Sequence, residues 1–212
     1  MSSPHVFVRP ATGLDAEAIG DIQVRTMRAA LVAALGKRLP PEVEGSLQAG
    51  AFAASWGEAI ANPPSATHIV FSAVSDGQVV GFAAISPTVL ESLAPPHTTE
   101  GSGTPVEPTP ASSPDDHAES GPRGGVVEVT ALEVPPAYQR AGHGSRLLAA
   151  AASTAIEQGA SELQIWVLVG DDAHTSFLTA AGFAPAGLRR DLQVGEELVS
   201  QHCWHAFLNT EG

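Results

Sequence analysis

The run from Val126 to Gln158 limits the fold more than any other stretch of this chain. Val126 to Val134 is rich in β-branched residues, Pro135 and Pro136 stop its pairing, and Leu147, Leu148, Ala151, Ala152, Ala155 and Ile156 recur at helical spacing before Gly159. Between strand and helix lies Gln139-Arg140-Ala141-Gly142-His143-Gly144-Ser145. Two glycines one residue apart at a helix start let the backbone pass close to a bulky anion and aim free N–H groups at it. The helix dipole favours negative charge at the same end, so phosphate is the natural guest.

Two phosphate loops do not fit. A dinucleotide fingerprint needs a third glycine three residues after Gly144, where Leu147 stands, and the Gly-Lys-Ser/Thr of nucleotide hydrolases is missing. What is present is Gln139-Arg140-x-Gly142-x-Gly144 after a strand ending Leu132-x-Val134-x-Pro136. Here the chain resembles the GCN5-related N-acetyltransferase (GNAT) superfamily, whose signature is Gln/Arg-x-x-Gly-x-Gly/Ala after the fourth strand. The resemblance covers nearly the whole chain and implies an α/β fold: a mixed, mostly antiparallel twisted sheet with splayed central strands, flanked by helices. It implies acetyl-CoA as cosubstrate and no metal. The backbone of Leu132, Glu133 and Val134 would pair with the pantetheine arm, and a bulge there would splay the fourth strand from the fifth. The amides of Arg140, Ala141, Gly142, His143, Gly144 and Ser145 would hold the pyrophosphate, with a charged contact from the Arg140 side chain.

The implied reaction is direct acetyl transfer to a primary amine, on a small molecule or a peptide, within a ternary complex. An alkylamine is protonated at neutral pH and attacks only when neutral, so a base is needed. Glu128 lies six residues before Val134, the place where the histone-acetylating branch of the family carries its glutamate base. Strand alternation puts Glu128 on the face of Thr130 and Leu132, and Glu133 on the other. A strand glutamate is also commonly a solvated edge residue or the partner of a basic neighbour. In the family the early helices form one wall of the acceptor pocket, which makes Met27, Arg28 and Leu31, with Phe52 and Trp56, substrate-side candidates.

The family's Asn-x-x-Ala-x-x-Phe-Tyr-x-x-x-Gly-Phe is met by Asp171, His174, Phe177, Leu178, Gly182 and Phe183. Asp171 joins the cofactor-binding candidates on that match. In many members the tyrosine protonates the departing thiolate, and Leu178 has no proton to give. The thiolate then leaves unassisted, another donor such as His174, one turn before Leu178, takes over, or the chain is a catalytically silent acyl-CoA sensor or interaction module.

The remaining sequence fills in this frame. Val6 to Arg9 reads as a first strand, Leu14 to Leu35 as a helix, and Glu42 to Asn62 as a second helix stopped by Pro63 and Pro64. Asp76-Gly77 between two β-rich runs predicts a hairpin. Glu162 to Val169 is a fifth strand, a helix capped near Asp171 follows, and two further strands close the chain. The 212 residues fit a single acetyltransferase domain, 1–212, carrying a flexible Pro/Ser/Thr/acidic insertion over 87–125. A net charge of −13 argues against a nucleic-acid partner. The single cysteine, Cys203, fits a reducing cytoplasm. The absence of a leader-like or membrane-length apolar run predicts a cytoplasmic protein without a membrane partner. A homodimer is common among the family's members.

Overall fold

The structure, a computed structural model, describes residues 5–88 and 125–208. Of the expected insertion it includes only the ends, Pro87, Thr88 and Gly125, and the rest lies outside the described residues. Seven strands form one sheet: β1 (Val6–Pro10), β2 (Ile69–Ser75), β3 (Gln78–Pro87), β4 (Gly125–Glu133), β5 (Ala160–Leu168), β6 (Ala184–Val194) and β7 (Glu197–Phe207). Their spatial order is β1-β2-β3-β4-β5-β7-β6. Every neighbouring pair is antiparallel except β4 and β5. The β2–β3 turn has positive φ at both Asp76 (48°) and Gly77 (82°), the geometry that matches the twist of a hairpin.

Helices cover both faces. On one lie α1 (Ala16–Leu35), α2 (Pro41–Ser46) and α3 (Ala49–Ala61); α1 buries Ile19 and Ile22 against Phe82, Ala84 and Ala131, with Trp56 and Ile60 of α3 beside them. A Cβ on Gly20 would lie 2.6 Å from the Ala53 nitrogen, so α1 and α3 approach this closely only because Gly20 has no side chain. On the other face α4 (His143–Glu157) packs Leu147, Leu148, Ala151 and Ala155 onto Val127, Val129, Leu132, Leu163, Ile165 and Val167, and α5 (Asp172–Ala180) adds Leu178. Asp15, buried below α1, accepts from both Arg9 guanidinium nitrogens at 2.6 and 2.9 Å, from the Thr12 amide and from the Ser72 hydroxyl. Among the described residues no helix is long and apolar enough to cross a membrane.

Two expectations are corrected. The single helix over Glu42 to Asn62 is two, α2 and α3, broken at Leu47 (φ −79°, ψ 72°). Leaving the helical path turns Leu47 into a buried cluster with Val24, Leu31, Leu39, Val194 and Val199, and that burial outweighs the lost helical bonds. The simple alternation along β4 also fails. Ala131 pairs with Ala84 but Val129 pairs with Ile85, so Thr130 is the extra residue of a β-bulge. Past it the faces exchange: Val127, Val129 and Leu132 join the α4 side, while Ala131 joins the α1 side. Glu128 and Glu133 therefore share the α1 face, and Leu132 opposes them.

Candidate functional site

The sheet opens at its centre. β4 and β5 pair only as far as Val129 with Ile165. Beyond that point β4 follows β3 to Phe82 opposite Glu133, and β5 follows β7 to Leu168 opposite Gln201. Thr130 to Glu133 and Trp166 to Leu168 thus present facing edges that do not pair with each other. Strand groups left without a ladder partner must bond water or a guest.

Directly beyond the opening is the glycine loop. Arg140 (φ 64°) and Gly142 (φ 79°) are left-handed, a kinked path that turns successive N–H groups toward one side. Among the described residues the amides from Arg140 to Ser145 make no backbone or side-chain hydrogen bond; those of His143, Gly144 and Ser145 are the orphan donors of the first turn of α4. The loop is braced from its own side chains: the Gln139 amide donates to the Val134 carbonyl at 2.8 Å, and Arg146 donates to the Ala141 carbonyl at 3.1 Å. Arg140, Ala141, Gly142 and Ser145 are exposed, and Gly144 sits against the Phe177 ring. His143 offers only its backbone, since its imidazole is buried with Nδ1 unpartnered and burial, with Arg146 nearby, holds its pKa below the usual histidine value.

The bulge turns the Glu133 side chain to the α1 side of the sheet, at the opening. Burial raises its pKa, partly offset by Thr26 and by the His174 charge. Asp171 accepts from the His174 amide at 3.0 Å, and its other oxygen lies 3.7 Å from His174 Nδ1. These contacts, the imidazole first, hold the Asp171 pKa below its ordinary value. Sequence reading assigned Glu133 a backbone role only. The side its carboxyl takes was hidden because nothing in the residue pattern marks the bulge at Thr130.

Glu128 lies five residues, about 16 Å of strand, from Glu133, at the closed end of the opening. It is half-buried, Ser86 and Gln164 are its strand neighbours, and the Gln164 amide donates to it at 3.4 Å. Cys203, 1% exposed, has its thiol pKa pushed up to about 11 by burial, with Glu128 and Glu162 adding to the shift. A thiol so protonated is no nucleophile at neutral pH. Leu178 is fully buried in the α4-side core.

A cleft of about 380 Å³ runs between α1, α2 and the β6–β7 turn, lined by Met27, Leu31, Phe52, Glu42 and Gly195 among others. Three of the five substrate-side candidates, Met27, Leu31 and Phe52, line it; Arg28 lies 2.8 Å from Glu44 in an ion pair instead. Met27, which lines the cleft, and Leu168, at the open end of β5, pack against the same apolar cluster, so cleft and opening adjoin. Trp56 lines a separate cleft of about 280 Å³ with Ser86 and Thr130. Among the described residues no three His, Cys, Asp or Glu groups converge as metal ligands do.

The family model "Acetyltransferase (GNAT) family" matches residues 37–183. The chain belongs to the acetyltransferase (GNAT) family. Solved structures agree with this fold. Arabidopsis thaliana NAA60 in complex with a bisubstrate analogue superposes with a TM-score of 0.63 at 12% identity, over 97% of this chain and 100% of that one. The putative acetyltransferase yncA from Salmonella typhimurium with its cofactor acetyl-CoA gives 0.58 at 16%, over 97% and 95%. A GCN5-related N-acetyltransferase from Kribbella flavida gives 0.58 at 18%, over 96% and 98%. At such identities these likenesses bear on the fold of this GNAT-family chain alone. No curated protein sequence matches it.

Proposed function

We propose that this GNAT-family chain moves an acetyl group from acetyl-CoA to a primary amine, of a small molecule or a peptide, by direct transfer in a ternary complex. One observation carries the reading: the unpaired edge of β4 runs straight into the partner-free amides of Arg140 to Ser145. A chain-like polar arm ending in a diphosphate fits that pair of features, the arm along Leu132, Glu133 and Val134 and the diphosphate on the loop. The arm's reactive end then lies in the opening, beside the cleft of Met27 and Leu31, where Glu42 and the acidic surface suit an amine. Residues 1–212 act as one catalytic domain, with 87–125 as an insertion.

In the transfer the amine lone pair attacks the thioester carbon, the C–N bond forms, and the C–S bond breaks with its electron pair going to sulfur. Backbone N–H groups near Leu132 stabilise the carbonyl oxygen as charge grows on it. Glu128, on the same face as the opening, takes the amine proton through water. Incubation of the purified protein with acetyl-CoA and an amine panel, followed by free thiol, tests this. The expected result is steady amine-dependent release, lowered about 100-fold or more by Glu128→Gln with coenzyme A binding intact. Saturable binding without amine-dependent release would refute the transfer and leave a silent acyl-CoA-binding module, the reading that the buried, hydroxyl-free Leu178 favours.

A further inference from the structure

We infer that the acceptor is a compact primary amine with an apolar body and no carboxylate, and that the cleft between α1, α2 and the β6–β7 turn receives that body. The inference rests on the acetyl-transfer reading and deepens it by naming the class of amine. Met27, Leu31, Val43, Leu47, Phe52 and Val194 give the cleft apolar walls. Glu42 is the one charged residue in its lining, and among the described residues it forms no ion pair, whereas Glu44 and Glu197 nearby are paired with Arg28 and Lys37. The volume of about 380 Å³ lies near the lower end of what small-molecule sites offer, about 300–1,000 Å³. Such a lining suits a cation whose remaining surface is hydrocarbon. A carboxylate on the same molecule would meet Glu42 and lose hydration with no basic side chain in the lining to replace it.

The helical and strand walls of this cleft are joined to each other. Leu39, between α1 and α2, is buried in one cluster with Val194 and Val199, which flank the β6–β7 turn. At the turn Gly195 lies so close to the start of α2 that a Cβ there would come 3.0 Å from Glu42 Oε1, 3.3 Å from Pro40 and 3.4 Å from Val43. Lys37 Nζ meets Glu197 Oε1 at 2.5 Å across the same seam. That ion pair is exposed and holds little; burial of the apolar cluster holds the seam. The Gln193 amide donates to the Gly195 carbonyl at 2.7 Å and braces the turn. An extended polypeptide laid between α2 and the turn would have to part this seam and expose Leu39, Val194 and Val199. A small amine needs no such rearrangement, since the cleft already adjoins the opening through the cluster that Met27 and Leu168 share.

The test measures kcat/KM for thiol release at saturating acetyl-CoA over three sets of acceptors: n-alkylamines from ethylamine to hexylamine, phenethylamine against phenylalanine, and short peptides with an internal lysine or a free N-terminus. Burial of each added methylene predicts a rise of about fourfold per carbon until the cleft is full. Phenethylamine should exceed phenylalanine about tenfold or more, and Glu42→Gln, a change at an exposed position, should narrow that gap about fivefold. Met27→Gln keeps the volume and wets the wall, so it should lower the ratio of hexylamine to ethylamine; general damage to the fold would lower both alike. Peptides of either kind should be about tenfold or more poorer than hexylamine. A flat alkylamine series, parity of phenylalanine with phenethylamine, ratios unmoved in both variants, or a peptide that outdoes every small amine overturns the inference while acetyl transfer stands. Absence of amine-dependent release with every acceptor overturns both.

Discussion

Alanine at Gly142 and at Gly144, one at a time, should act very differently although the two glycines belong to one motif. Gly142 has φ +79°, a region that costs a residue with a side chain about 1–2 kcal/mol. Its new Cβ would meet Arg146 Nη1 at 2.8 Å, the far end of a side chain that can swing away, so the cost is conformational and not a collision. Without a guest the loop can relax; a bound diphosphate must restore the left-handed turn, and the strain is then felt as lost affinity. One to two kcal/mol corresponds to coenzyme A binding about 5- to 30-fold more weakly. At Gly144 a Cβ would lie 3.5 and 3.6 Å from the Phe177 ring, ordinary contact, and φ is not left-handed. Gly144→Ala should leave affinity nearly unchanged and raise thermal stability slightly, since alanine suits a helix better than glycine by up to about 1 kcal/mol. Calorimetric titration with coenzyme A and a melting curve read both. Equal weakening in the two variants, or wild-type binding by Gly142→Ala, would refute this account of the loop.

Two further outcomes are expected. Arg9, with the Thr12 amide, holds the Asp15 pKa down from 3.8 to about 2, so its contribution is present above the ordinary value and is lost as pH falls through about 2. A shift of nearly two units is worth about 2 kcal/mol, and denaturant unfolding should find Asp15→Asn less stable by about that much at pH 7, with the gap closing in acid; a gap that persists at pH 2 would contradict the pairing. The Cys203 thiol, raised to about 11 and 1% exposed, should resist iodoacetamide at pH 8 until the chain is unfolded. Labelling of the folded protein at the rate of a free cysteine would show the site to be open.

Local chemistry made much of the fold legible. Asp76-Gly77 specifies its hairpin, Pro135 and Pro136 end β4, and Gly142-x-Gly144 opens α4 where the residues require. What escaped depends on partners distant in sequence. Leu47 breaks a helical pattern because Val194 and Val199, about 150 residues on, offer it burial. Thr130 is read as one more alternating residue until β3 is laid beside it. The bulge reverses the face of Glu133, so the side of the sheet that its carboxyl takes could not be read from spacing. The loop amides were readable because backbone donors at a helix start do not depend on what packs elsewhere.

The gap between β4 and β5 leaves the middle of the sheet with the kind of raw edge that proteins usually confine to its margins. A polar arm lying there is, in mechanical terms, an eighth strand on loan. Such an arm would complete a hydrogen-bonded layer that the polypeptide leaves unfinished. Without such an arm, water must bond those strand groups instead.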